Sequence, residues 1–286
     1  MFRFPLRPSC ILLASAVAAG ACNDANQPPP PAAVPAFEVV AHSPAPGAVV
    51  YLNDAITVSF STQLDLDSVN PSSFAIEEFD AQGQPTLVAV PGVYRLANNG
   101  TTLWFQPDLP LNGAYATGGL RAGRSYLVTV TDSLHDATGQ RLQAARTFTF
   151  HTRSGTTAAA LYLDREARGP GRVALAVTTN PAAVPAHEVR LTFDQPLDPA
   201  VDNLIGTAWF EYQDANDPVG VFRQMPASLA IERNTYADAV LLLRPLDILP
   251  EATVVRVVVA ATLRDLAGQD NVQTPDYDPV FGTFQN

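Results

Sequence analysis

The chain has 286 residues with 28 acidic and 17 basic side chains, a formal net charge of −11. All the basic residues are arginines scattered among excess acid, a surface that repels phosphate backbones, so nucleic-acid binding is excluded. The only cysteines are Cys10 and Cys22, too few and too close to the start to staple a fold, so stability must come from hydrophobic cores.

Residues 1–21 read as a secretory signal peptide. Arg3 and Arg7 form a positive start, Ile11 to Ala19 an apolar segment, and Ala19-Gly20-Ala21-Cys22 a run of small residues closing on cysteine. That run resembles a bacterial lipobox, with Ala19 where the family carries a larger aliphatic residue. The resemblance implies lipidation of Cys22 and a membrane contact through the lipid anchor. Past Cys22 no stretch approaches the roughly 20 apolar residues that a crossing helix needs. Removing the leader leaves 15 arginines against 28 acids, a net charge of −13. Richness in alanine, arginine and proline points to a GC-rich coding sequence as the simplest cause of the missing lysine.

Residues 22–36 carry four consecutive prolines at 28–31. Proline fixes φ and removes a donor, so this segment is expected to be a semi-rigid tether. From Phe37 the pattern becomes short alternating strands. Ile56, Val58 and Phe60 alternate with Thr57 and Ser59; Tyr126, Val128 and Val130 alternate with Leu127, Thr129 and Thr131; Phe148 and Phe150 alternate with threonines. Turn chemistry separates the strands, with PAPG at 44–47, DAQG at 80–83 and NNG at 98–100. The expected class is an all-β sandwich.

The pattern then occurs a second time. VSFSTQLDLDSV from Val58 aligns with LTFDQPLDPAVD from Leu191, placing Phe60 on Phe193, Leu64 on Leu197 and Asp65 on Asp198 at a spacing of 133. LWFQP at 103–107 repeats as LLLRP at 241–245, and TDSLHDATGQ at 131–140 as AATLRDLAGQ at 260–269. These landmarks resemble the SbsA-type bacterial Ig-like domain. The first copy carries them through Phe60, Leu64, Asp65, Phe105, Pro107, Tyr126, Leu134, Asp136, Gly139, Phe148, Phe150 and Thr152. The second has Val255 for the tyrosine, Leu243 for the aromatic, and an irregular PVFGTF at 279–284. The resemblance implies two tandem Ig-like β-sandwich domains in a cell-surface setting. Domain 1 is placed at 37–152, a linker at 153–172 containing SGTT and GPG, and domain 2 at 173–286. Few core contacts are expected to cross the linker, although Leu161 to Leu163 could add a short strand.

Asp136 with Gly139, and Asp265 with Gly268, suit tight turns in which the carboxylate accepts backbone N–H groups and glycine takes positive φ. A calcium site built from Asp65, Asp67, Asp132 and Asp136, or from Asp194, Asp198 and Asp202, is the alternative, although no segment matches an EF-hand loop. His42, His135, His151 and His187 form no recognised catalytic arrangement, and His187-Glu188 lacks the second histidine of a zinc-protease helix. Paired carboxylates leave a glycosidase open on composition alone. Residues 112–124, NGAYATGGLRAGR, occur only in the first copy. Tyr115, Arg121 and Arg124 there form a candidate binding loop for an acidic glycan or a partner protein, set against a merely flexible insertion. The resulting expectation is a lipid-anchored envelope protein with a structural, adhesive or scaffold role, without catalysis, cofactor or metal. The runner-up is a carbohydrate-binding or accessory module of an envelope enzyme system.

Overall fold

The computed structural model describes residues 35–166, 168–179, 187–214, 216–250, 253–271, 276–277 and 281–282. The leader, Cys22, most of the tether and most of the closing segment 279–284 lie outside the described residues. No helix among the described residues is long and apolar enough to cross a membrane.

In the first half the strands are β1 (Val39–Ser43), β2 (Val49–Val50), β3 (Ile56–Phe60), β4 (Phe74–Phe79), β5 (Pro85–Ala89), β6 (Gly92–Ala97), β7 (Thr102–Pro107), β8 (Ser125–Val130) and β9 (Arg146–Thr152). They form two sheets, ordered β1-β3-β7-β6 and β2-β9-β8-β4-β5. Alternation decides which side chains enter between them. Ile56, Val58 and Phe60 are buried while Thr57 and Ser59 face outward, and Ile56 and Val58 stand opposite Phe105 and Leu103 of β7. Phe74, Ile76, Tyr126, Val128 and Phe150 close the core from the second sheet.

A one-turn helix α1 (Ala158–Leu161) leads to the second half. Its elements are β10 (Arg172–Thr179), β11 (His187–Phe193), the short helix α2 (Val201–Leu204), β12 (Ala208–Gln213), β13 (Arg223–Asn234), β14 (Ala239–Pro245), β15 (Val254–Val259), β16 (Asp276–Tyr277) and β17 (Phe281–Gly282). These strands form one bent sheet, β10-β11-β14-β13-β12-β15-β16, with β17 also on β15. Its core holds Phe193, Phe210, Leu241, Leu243, Val255 and Val257. β13 belongs to both layers, since Arg223 to Pro226 pair with β12 and Ala227 to Asn234 pair with β14. In the first half the same crossing is broken, with β5 on one sheet, β6 on the other, and Val90-Pro91 at the corner. Met225-Pro226 is the matching corner, and Val90 and Met225 are both buried. Proline suits a corner, where no ladder donor is required.

The segment 153–172 is exposed over much of its described length but is anchored in the middle. Ala158, Leu161 and Tyr162 are buried in the first core. The Leu52 N–H donates to the Leu161 carbonyl at 2.9 Å, and Asn53 brackets Leu163 by accepting from its N–H at 2.8 Å and donating to its carbonyl at 2.9 Å. The added strand expected at 161–163 is replaced by the end of α1 and this side-chain clamp. Gly169 is a close-approach residue, because a Cβ there would collide with the Asp270 carbonyl. Turn-forming composition suggested separation, whereas at Gly169 it lets the chain pass tightly against the backbone of the second half.

Candidate functional site

The three residues of the candidate binding loop do not share one surface. Arg121 and Arg124 converge on Glu78, which is only 8% exposed. Arg121 Nε donates to Glu78 Oε2 at 2.7 Å, and Arg124 Nε lies 3.5 Å from Glu78 Oε1. A buried carboxylate needs such partners to offset its lost hydration. The hydroxyl of Tyr126 accepts from the Arg121 N–H at 2.7 Å, and burial pushes the Tyr126 pKa up to about 12. The arginines thus fasten their loop to β4 and β8.

Tyr115 points the other way, into the second half of the chain. It is buried, and its hydroxyl donates to Asp198 Oδ1 at 2.9 Å. Tyr115 therefore does not share a surface with the two arginines, and through it the insertion docks one sandwich on the other. Further contacts join the same two surfaces. Asn234 Nδ2 donates to the carbonyls of Pro110 and Leu197, both at 2.9 Å, while its Oδ1 accepts from the Leu197 N–H at 2.9 Å. The Tyr236 hydroxyl donates to the Pro107 carbonyl at 2.8 Å. Leu266 of the second repeat is buried in the first core. Gly113 packs against Pro199 and Ala200 so tightly that an added Cβ would lie 3.1 Å from each backbone. This joint combines buried apolar side chains with hydrogen bonds that cross between the two halves.

The repeated turns take the form expected for them. Asp136 Oδ1 accepts from the N–H groups of Thr138 and Gln140, both at 2.9 Å, and Asp265 Oδ1 accepts from those of Ala267 and Gln269 at 2.9 and 2.7 Å. Gly139 and Gly268 have φ of +85° and +89°, a region that side chains with a Cβ avoid. The two turns differ in electrostatics. Burial opposes ionisation of Asp136, but the Thr138 and Thr62 hydroxyls and two turn amides bring its pKa below the ordinary value. In the second copy Gln195 and Ala267 replace those threonines, both hydroxyl donors are gone, and burial raises Asp265 to about 6 with help from nearby Asp164.

A pH dependence follows. The folded state binds the Asp265 proton more tightly than the unfolded chain does. Its contribution is therefore fully present below the unfolded value near 3.8 and is lost as pH rises through about 6. Asp265→Asn keeps the Oδ1 acceptor and removes the buried charge, so it is expected to raise the melting temperature at pH 7.5 and to change it little at pH 4.5. A lower melting temperature at pH 7.5 would contradict this assignment. Asp136 has the opposite sign, with stability present above its unfolded value and lost as pH falls through the lower folded one.

Most of the carboxylates considered for calcium are engaged by other partners. Asp65 caps a short 3₁₀ turn by accepting from the Asp67 N–H at 3.0 Å, and Asp136 is used by its own turn. Asp194 Oδ1 accepts from the Gly171 N–H at 2.7 Å and its Oδ2 pairs with Arg168 at 2.9 Å, while Asp202 pairs with Arg264 at 3.1 Å. Among the described residues no group of three or more His, Cys, Asp or Glu is placed to hold a metal ion. His42 stacks on Phe148 with ring centres 3.9 Å apart, and His151 Nδ1 lies 2.8 Å from its cross-strand neighbour Ser125 on the exposed sheet face. The joint and the Glu78 cluster were missed at the sequence level. Their only signal was the difference between the copies, namely an insertion in one repeat and Asn234-Thr235-Tyr236 replacing NNG in the other.

Residues 33–152 match the family model for a bacterial Ig-like domain. Comparison with curated proteins finds no match. Among solved structures, Escherichia coli α2-macroglobulin spanning domains MG0-NIE-MG1 is 14% identical, covers 87% of this chain and 71% of its own, and superposes with a TM-score of 0.38. The N-terminal part of the bacterial S-layer protein SbsC is 11% identical over 80% of this chain and 42% of its own, with a TM-score of 0.28. The BSP domain of a biofilm-associated protein is 10% identical over 84% and 29%, with a TM-score of 0.19. The chain is all-β, and its first sandwich is Ig-like.

Proposed function

We propose that this chain is a lipid-anchored cell-envelope protein whose two sandwiches, both read as SbsA-type Ig-like modules, act together as a non-catalytic structural or adhesive spacer. The observation that carries this reading is the joint. An insertion, a connector and a repeat motif are all spent on locking one sandwich to the other, as a load-bearing or distance-setting element requires and as a freely swivelling pair does not. The match of residues 33–152 to a bacterial Ig-like domain supports the surface setting. The lipobox-like run ending at Cys22 and the proline-rich tether support attachment at a distance from a membrane. The reading expects an envelope protein or glycan at the outer end and sets nucleic acid aside, because an acidic chain repels phosphate backbones.

The lysine-free composition gives a direct test. With cleavage before Cys22, the mature chain has no side-chain amine, and its one primary amine is the α-amino group of Cys22. Intact mass spectrometry is expected to find lipid on Cys22. An amine-reactive reagent is expected to modify one site in a diacylated form and none in a triacylated form, and Cys22→Ser should abolish lipid attachment. An unmodified Cys22, or a mature terminus elsewhere, would remove the anchor from this reading.

A further inference from the structure

A cleft of about 320 Å³ opens in the joint, between the insertion loop of the first sandwich, the connector before α1, and the repeat motifs of the second. Tyr115, Thr156, Thr157, Asp198, Asp202 and Arg264 line it. Asp198 is 4% exposed. Its Oδ1 is occupied by the Tyr115 hydroxyl at 2.9 Å and the Ala200 N–H at 3.0 Å, and its Oδ2 has no hydrogen-bond partner among the described residues. No arginine or histidine among them pairs with Asp198. Arg264 lies nearby, but it is turned to Asp202 Oδ2 at 3.1 Å and Asn203 Oδ1 at 3.4 Å. The charged groups lining the cleft, Asp198, Asp202 and Arg264, sum to one negative charge. Next to it stands Tyr162, its ring centre 6.0 Å from that of Tyr115, with a buried hydroxyl that has no partner. Asp198 lines the cleft with one carboxylate oxygen unmatched, which favours a donor-rich positive group there; Tyr162 lies behind the lining.

We propose that this cleft is a binding site for the protonated primary amine of another molecule, with Asp198 as its counter-ion. An ammonium group brings three donors and one positive charge on a compact head, matching Asp198 Oδ2 and the Thr156 and Thr157 hydroxyls. Tyr115 adds an aromatic wall that favours a cation. No side chain of this protein supplies the amine, because the chain contains no lysine. Domain joints are common places for small-molecule sites, and the volume accommodates a ligand head of amino-sugar or alkylammonium size.

The experiment titrates the full mature protein with ethylammonium chloride, and separately with ethanol at matched ionic strength, following the Tyr115 and Asp198 resonances by NMR. It does not depend on whether Cys22 carries lipid. Saturable shifts with ethylammonium and none with ethanol are expected, with binding weakened at least tenfold by Asp198→Asn. Thr156 is exposed, so Thr156→Arg leaves the fold intact and places a guanidinium in the cleft, and it should block ethylammonium equally. Equal response to ethanol, no response to ethylammonium, or full binding retained by Thr156→Arg would overturn the assignment.

Discussion

Phe60→Ala and Phe193→Ala are each expected to lower the free energy of unfolding by about 3–5 kcal/mol, the cost of lost burial plus the cavity left behind. Both rings are essentially inaccessible, at 3% and 0% exposure, and they sit at equivalent strand ends in different cores. Phe60 packs 5.1 Å from Phe37 between ring centres, at the point where the chain enters the first sandwich. Phe193 ends β11, opposite Ala239 of β14. Urea denaturation of the two variants checks the prediction, and an unchanged midpoint for either would mean that the repeat alignment does not mark its core.

The second large effect belongs to the joint. Asn234→Ala removes a side chain that serves both Leu197 backbone groups and reaches the Pro110 carbonyl of the other sandwich. In the first copy the equivalent Leu64 N–H is met by the Gly100 carbonyl, so the second copy has exchanged a backbone partner for Asn234. No other hydrogen-bond acceptor for the Leu197 N–H is found among the described residues. Leaving that buried donor unsatisfied costs about 1–3 kcal/mol, with the two carbonyls adding to the penalty. Amide exchange at Leu197 is expected to accelerate sharply in Asn234→Ala while the amides of β3 and β7 stay protected. Unchanged protection at Leu197 would remove Asn234 from the joint.

Strands such as Ile56–Phe60 and Ser125–Val130 were legible in the sequence because period-2 alternation is a local property that survives folding. The turns at Asp136 and Asp265 were legible for the same reason, since each carboxylate satisfies amides two and four residues ahead. The joint was not legible. Tyr115 meets Asp198 across 83 residues and Tyr236 meets Pro107 across 129, and no local periodicity encodes such pairs. Asp198 shows the difficulty most sharply. It aligns with Asp65, which caps a turn at the half-exposed surface, yet in the second copy the same motif position lies beneath the insertion of the first. The connector misled for a related reason, because glycine and proline mark both flexible links and tight passages. The buried Ala158, Leu161 and Tyr162 and the collision that a Cβ at Gly169 would suffer distinguish the two here.

The central claim is that the two sandwiches are held as one body. Spin labels at Val93→Cys, on exposed β6, and Ala230→Cys, on exposed β13, report it by pulsed dipolar spectroscopy in a Cys22→Ser protein expressed without residues 1–21, so that Cys10 is absent too. A single narrow distance distribution, broadening when Asn234→Ala is added, is the result expected for a rigid spacer. A broad distribution already present in the parent protein, unchanged by Asn234→Ala, would show two modules swivelling on a linker and would contradict the account.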